Sequence, residues 1–242
     1  MFVVPSAARL GCWLNAWIAG RTSADEAITG ITAGRESVSF RGLEPQLDLA
    51  PAMMLGEIRR REVDRVTVAL PVPGDLTGLG GPSEFNLGAL DAGQAVLLCG
   101  AGIGMVPDTR PGATTWVAAP ANPPTYLPDL ATADRGLRDG LLSAADTLSR
   151  LDVASWSPDA ADALMNLRAP ATFDAPMTFG SAVAARVVAS ALRCVEIVRL
   201  ALRDDGGALT AAESARRREA LFPLRHASHV ALVAACSSLD GR

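Results

Sequence analysis

At 242 residues, 49% apolar and 20% charged, with a formal charge of −4 at pH 7, the chain can bury a large core and does not have the composition of a disordered protein. All 22 basic residues are arginine, which excludes a P-loop lysine, a Schiff-base lysine and a lysine general base, because a guanidinium does not give up its proton. A pI near 5.2 argues against nucleic acid as the main partner, since a polyanion is met by a basic face.

Residues Leu10, Trp13, Leu14, Trp17 and Ile18 recur at helical spacing and predict an amphipathic helix over Ala7–Ala19. Trp13 and Trp17 lie on its apolar stripe and are candidates for an interface with a partner or a second copy. Arg9 interrupts the early apolar run and no cationic segment precedes it, so no signal peptide is expected. No stretch approaches the roughly 18 apolar residues of a membrane span; the expectation is a cytoplasmic protein without membrane segments. Ser23 and Glu26 form a capping box opening a second helix to about Thr32. Strands are expected at Ser37–Phe40, Arg65–Leu70, Ala95–Cys99 and Thr114–Ala118, with a helix at Ala52–Arg61.

The loop Gly74–Asn86 leaves the Arg65–Leu70 strand and offers Asp75, Thr77, Ser83, Glu84 and Asn86 as ligand-binding groups. No basic residue lies between Arg65 and Arg110, whereas Asp75, Glu84, Asp91 and Asp108 do. Phosphate is therefore disfavoured, and a cation, an amine, a neutral ligand or another protein's backbone suits the loop better. The plainer reading is a long connection in which Pro82-Ser83-Glu84 opens a helix. Gly100-Ala101-Gly102-Ile103-Gly104 has neither the spacing nor the following helix of a dinucleotide fingerprint and reads as a hairpin.

Residues 120–128 hold four prolines and read as a stiff connector over 121–128, dividing an α+β module (1–120) from a helical bundle (129–242). In the bundle, Leu137, Leu141, Ala144, Leu148 and Leu151 line one helix, Ser157 caps another to about Arg168, and Ser181–Arg203 carries a long apolar stripe. Thr210 and Glu213 suggest a further capping box, Pro223 a break or kink, and Val230, Val233 and Ala234 a last buried helix to about Ser237. The expected fold is α+β: a small mixed or antiparallel sheet with flanking helices, then a bundle whose packing against the sheet is left open.

His226, His229 and Cys236 can share a helix face, but no further ligand is at hand, so no metal and no cofactor are expected. Cys12, Cys99, Cys194 and Cys236 form no C-x-x-C pair and read as small buried hydrophobes. The arginine runs Arg59–Arg61 with Arg65, and Arg216–Arg218, are interleaved with acids and lack stacking aromatics, so they read as solvated helix faces. With no nucleophile–base pair or cofactor loop in view, the first expectation is a non-enzymatic adaptor or regulatory protein acting on a protein partner or on itself. The alternative is a small-ligand-binding or hydrolytic enzyme on the Gly74–Asn86 loop. Asp75 and Glu84 would then be acid and base, Arg110 an anion anchor, and His226 and His229 further weak candidates.

Overall fold

A computed structural model describes residues 1–33, 37–150, 171–203 and 211–238. The expected Ser157–Arg168 helix and the Thr210 cap lie outside the described residues. The elements run α1 (Ser6–Ile18), α2 (Ala24–Thr32), β1 (Ser37–Glu44), β2 (Leu47–Leu49), α3 (Pro51–Arg60), β3 (Arg65–Ala69), α4 (Ser83–Ala92), β4 (Ala95–Cys99), β5 (Ile103–Arg110), β6 (Ala113–Pro120), α5 (Leu130–Arg150), α6 (Ala182–Arg203) and α7 (Ala211–Ser237). The fold is α+β, with one mixed sheet in the order β2-β1-β6-β5-β4-β3. β1 runs parallel to β6, and every other neighbouring pair is antiparallel.

Local rules account for much of this. Ser23 Oγ accepts from the Glu26 amide at 3.2 Å while Glu26 Oε2 accepts from the Ser23 amide at 2.8 Å, an arrangement that contributes about 1 kcal/mol to a helix start. The Gly100–Gly102 segment turns β4 into β5, with Gly100 and Gly102 at φ 86° and 65°. β5 extends through Arg110 as a full strand, and β1 folds back onto the short β2. Neither extension stands out in the chain, because both are half polar, although each pairs with a strand that follows it closely in sequence.

One face of the sheet is covered by α1, α2, α3 and α7, and the main core lies there around Phe40, Val66, Val68, Val96, Leu98, Met105 and Trp116. On the other face α4 covers only the β3–β4–β5 side, where Phe85 and Ala89 pack on Ala69, Leu97 and Ala95. The burial of the strands records this asymmetry. β4 is buried at four consecutive residues, whereas β6 alternates, with Thr114 and Trp116 buried and Val117 exposed.

The outer edge of β3 is closed by side chains. Asn15 on α1 accepts from the Val66 amide and donates to the Val66 carbonyl, both at 2.8 Å, and Ser237 at the end of α7 accepts from the Val68 amide at 2.8 Å. Asn15 also donates to the Cys236 carbonyl at 3.2 Å. Buried strand edges need such partners, and these leave no room for another strand.

The C-terminal half packs on the sheet through the same junction. Its helices α5, α6 and α7 share one contiguous core with the N-terminal half, and Phe2 bridges Phe173. Asp134 of α5 is buried, accepts from Arg138 and takes both guanidinium nitrogens of Arg186 on α6, at 3.2 and 2.8 Å. α7 runs unbroken through Pro223, so of the break or kink expected there the break does not occur. Pro223 is on the exposed side of the helix, where the carbonyl it leaves without an amide can face water. Among the described residues no helix is long and apolar enough to cross a membrane.

Candidate functional site

The chain after β3 passes over α7 and back toward the connector. Asp75 is where the two halves meet. Its Oδ1 accepts from the Thr77 amide at 3.0 Å and hydroxyl at 2.7 Å, a local turn that holds the carboxylate in one orientation. Its Oδ2 lies 2.8 Å from Nδ1 of His226 on α7, with the two side chains 13% and 47% exposed. Burial alone would raise the Asp75 pKa; the two Thr77 hydrogen bonds and then His226 outweigh it and hold the carboxyl below its ordinary range. A carboxylate can only accept, so the imidazole donates from Nδ1 and directs Nε2 outward.

His229, one turn further along, lies with Nδ1 3.3 Å from the Leu70 carbonyl. Burial, with the nearby Arg225 charge, lowers its pKa despite that carbonyl, so it is neutral near pH 7. The structure thus joins Asp75 to His226, two groups that are 151 positions apart in the chain.

The other loop candidates point elsewhere. Ser83 is exposed at the start of α4 and makes no side-chain cap. Asn86 Oδ1 accepts from the Gly81 amide at 3.1 Å. Gly80 lies so close to the connector that a Cβ there would sit 1.8 Å from the Pro123 carbonyl oxygen. The loop backbone thus lies against the chain's own residues 122–123, and Asn122 ties it further by donating to the Gly80 carbonyl at 3.3 Å. Glu84 is exposed and lines a groove to which Asp75 does not contribute. Arg110 is paired with Asp108 at 3.3 Å.

That groove is the second candidate site. α4 ends its cover at the β5–β6 pair, and between them is a cavity of ≈ 390 Å³. Phe85 and Gly88 form its helical wall, Val106, Val117 and Ala119 its floor, and Glu84 and Asp108 its rim. Val106 and Val117 are register partners, as are Gly104 and Ala119, so their side chains share one face. The alternation Gly104-Val106-Asp108 and Thr115-Val117-Ala119 carries this face in the sequence, but nothing there announces that α4 stops short of covering it.

The remaining candidates are engaged within the chain. Trp17 is buried under the Arg59 guanidinium, 4.8 Å from the ring centroid. Trp13 donates to the Pro176 carbonyl at 3.2 Å and packs on Gly30, where a Cβ would sit 2.0 Å from the ring. Arg60 pairs with Glu57 and Glu44, and Arg61 with Glu57 and the Leu43 carbonyl. The Cys236 thiol, then burial, push the buried Cys12 thiol well up, and burial pushes Cys194 up to about 11, so neither is a ready nucleophile. Among the described residues no group of three or more His, Cys, Asp or Glu side chains is placed to hold a metal ion.

Mycobacterial proteins are among those similar to this chain. Uncharacterized protein Rv1486c of Mycobacterium tuberculosis (strain H37Rv) is 29% identical over 186 residues, covering 60% of this chain and 65% of that protein. Uncharacterized protein MAV321 of Mycobacterium avium is 29% identical over 196 residues, covering 63% and 64%. Uncharacterized protein ML1804 of Mycobacterium leprae is 27% identical over 203 residues, covering 63% and 68%. The match thus spans about 65% of the length of the Mycobacterium tuberculosis relative. No solved structure matches the chain. Residues 7–129 match the N-terminal domain and residues 131–233 the C-terminal domain of the Rv1486c-like protein family, and the chain belongs to that family.

Proposed function

We propose that the chain is a non-enzymatic adaptor or regulatory protein that acts by docking another protein on the open half of its sheet. The observation that carries this reading is the apolar groove beside α4, with Val117 at 36% exposure on its floor and Leu87 at 61% beside it. Apolar surface held open on a rigid sheet beside a helix is suited to receiving side chains of a partner. The arginine run at α3 supports a protein partner over nucleic acid, because Arg59, Arg60 and Arg61 are already occupied by Trp17, Glu57 and Glu44.

The test is affinity purification of the full chain from its native host with mass spectrometry, in parallel with Val117→Asp. A stoichiometric protein that is retained by the wild type and lost from the variant is the expected result. A co-purifying small molecule with no such protein would overturn the reading.

One observation favours a second reading, a small-ligand or hydrolytic site: the Asp75–His226 pair, in which a fixed carboxylate orients an imidazole with an outward Nε2. It predicts that hydrolysis of an uncharged ester by the purified chain is lost in both His226→Ala and Asp75→Asn. Activity that survives both substitutions would remove this pair from consideration.

A further inference from the structure

The groove has an apolar floor and an acidic rim. On α4, Glu84, Gly88 and Asp91 stand at positions i, i+4 and i+7, on one stripe of the helix, and both acids are exposed. Asp108 of β5 forms the opposite rim. Two arginines stand on the Asp108 side, Arg110, paired with Asp108, and Arg41, the register partner of Val117, paired with Asp48. The wall residue Phe85 and the floor of Val106, Val117 and Ala119 are apolar and suit apolar side chains. A cavity of ≈ 390 Å³ takes a few side chains rather than a folded domain.

Resting on the docking reading above, we propose that the groove's occupant is an arginine- or lysine-bearing, otherwise apolar segment of a partner protein. Its apolar side chains lie on Val106 and Val117, and its cations lie over Glu84 and Asp91. Charge complementarity selects this occupant. A second copy of the chain would bring the same −4 charge and the same acidic rim to face each other. A phosphorylated or acidic segment would meet Glu84 and Asp91 with like charge.

Gly88 gives a sharp way to test this. A Cβ placed there meets no atom within 4 Å, so the fold has room for a side chain that would project into the groove. Gly88→Leu therefore plugs the groove while improving the helix, and a melting curve separates loss of docking from loss of folding. A photo-crosslinking residue in place of Leu87, in the full chain expressed in its native host, identifies the segment that touches α4.

The expected cross-linked peptide carries two or more arginines or lysines among apolar residues. Retention of its parent protein should fall roughly tenfold in Gly88→Leu and in Glu84→Arg/Asp91→Arg, and fall also as salt is raised. A cross-link to an acidic segment, or to a second copy of the chain, overturns the proposal. If Gly88→Leu abolishes retention but the charge reversal does not, the docking reading stands and the basic occupant is refuted. If neither variant alters retention of any partner, both are refuted.

Discussion

The two halves of the sheet are built from similar residues and treated differently. β3 and β4 carry apolar side chains on both faces and are covered on both, by α1 and α7 on one side and by α4 on the other. β6 and β1 are buried on one face, while the other shows Ser39, Thr115 and Val117, with Ser39 and Thr115 hydrogen-bonded to each other at 3.1 Å. A sheet that is antiparallel at all but its β1–β6 pair tolerates one wet face, and that tolerance leaves this half open. Burial is thus concentrated on β3 and β4, and the docking proposed above would use the face that β5 and β6 leave open.

Substitutions that touch the covered half should cost most. Phe85→Ala removes the ring that packs α4 on Gly104, and is expected to cost about 3 kcal/mol in a urea titration. Asn15→Ala leaves the Val66 amide and carbonyl and the Cys236 carbonyl without their partner, and is expected to cost about 2 kcal/mol by the same measurement. A loss below about 0.5 kcal/mol for either would erase the contrast between the two halves.

The end of β3 adds a pH dependence. Because burial lowers the His229 pKa, the folded state binds fewer protons than the unfolded one below its ordinary value of 6.5. The stability is whole above that value and declines as pH falls through the lowered folded pKa. Urea midpoints measured from pH 8 to 5 should fall more steeply for the wild type than for His229→Gln, and equal slopes would contradict the burial argument.

The open half should respond weakly. Val117→Thr is expected to change stability by less than about 0.5 kcal/mol, and Gly88→Ala to raise it by about 0.5–1 kcal/mol. A large loss from Val117→Thr in the isolated chain would mean that the open face is covered by part of the chain itself.

Local signals carried much of this architecture. The Ser23–Glu26 box, the β-branched run at Arg65–Ala69 and the apolar stripe of α6 are each written within one turn or one strand, and they appear where the pattern puts them. The features that make the candidate sites are long-range. Asp75 and His226 were legible as polar groups worth naming, but only the packing of α7 over the β3 exit pairs them. The groove depends on the length and placement of α4, which no residue of β6 encodes. The unbroken course of α7 through Pro223 likewise depends on which side of the helix faces water.

The clamp on the edge of β3 also sets a schedule. Asn15 precedes the strand and can satisfy Val66 as soon as both have left the ribosome, whereas Val68 waits for Ser237, 169 positions later. Throughout the synthesis of the intervening chain, half of that apolar edge is without its final hydrogen-bond partner and is able to pair with a strand of another nascent molecule. The last turn of α7 is therefore the step that ends this exposure.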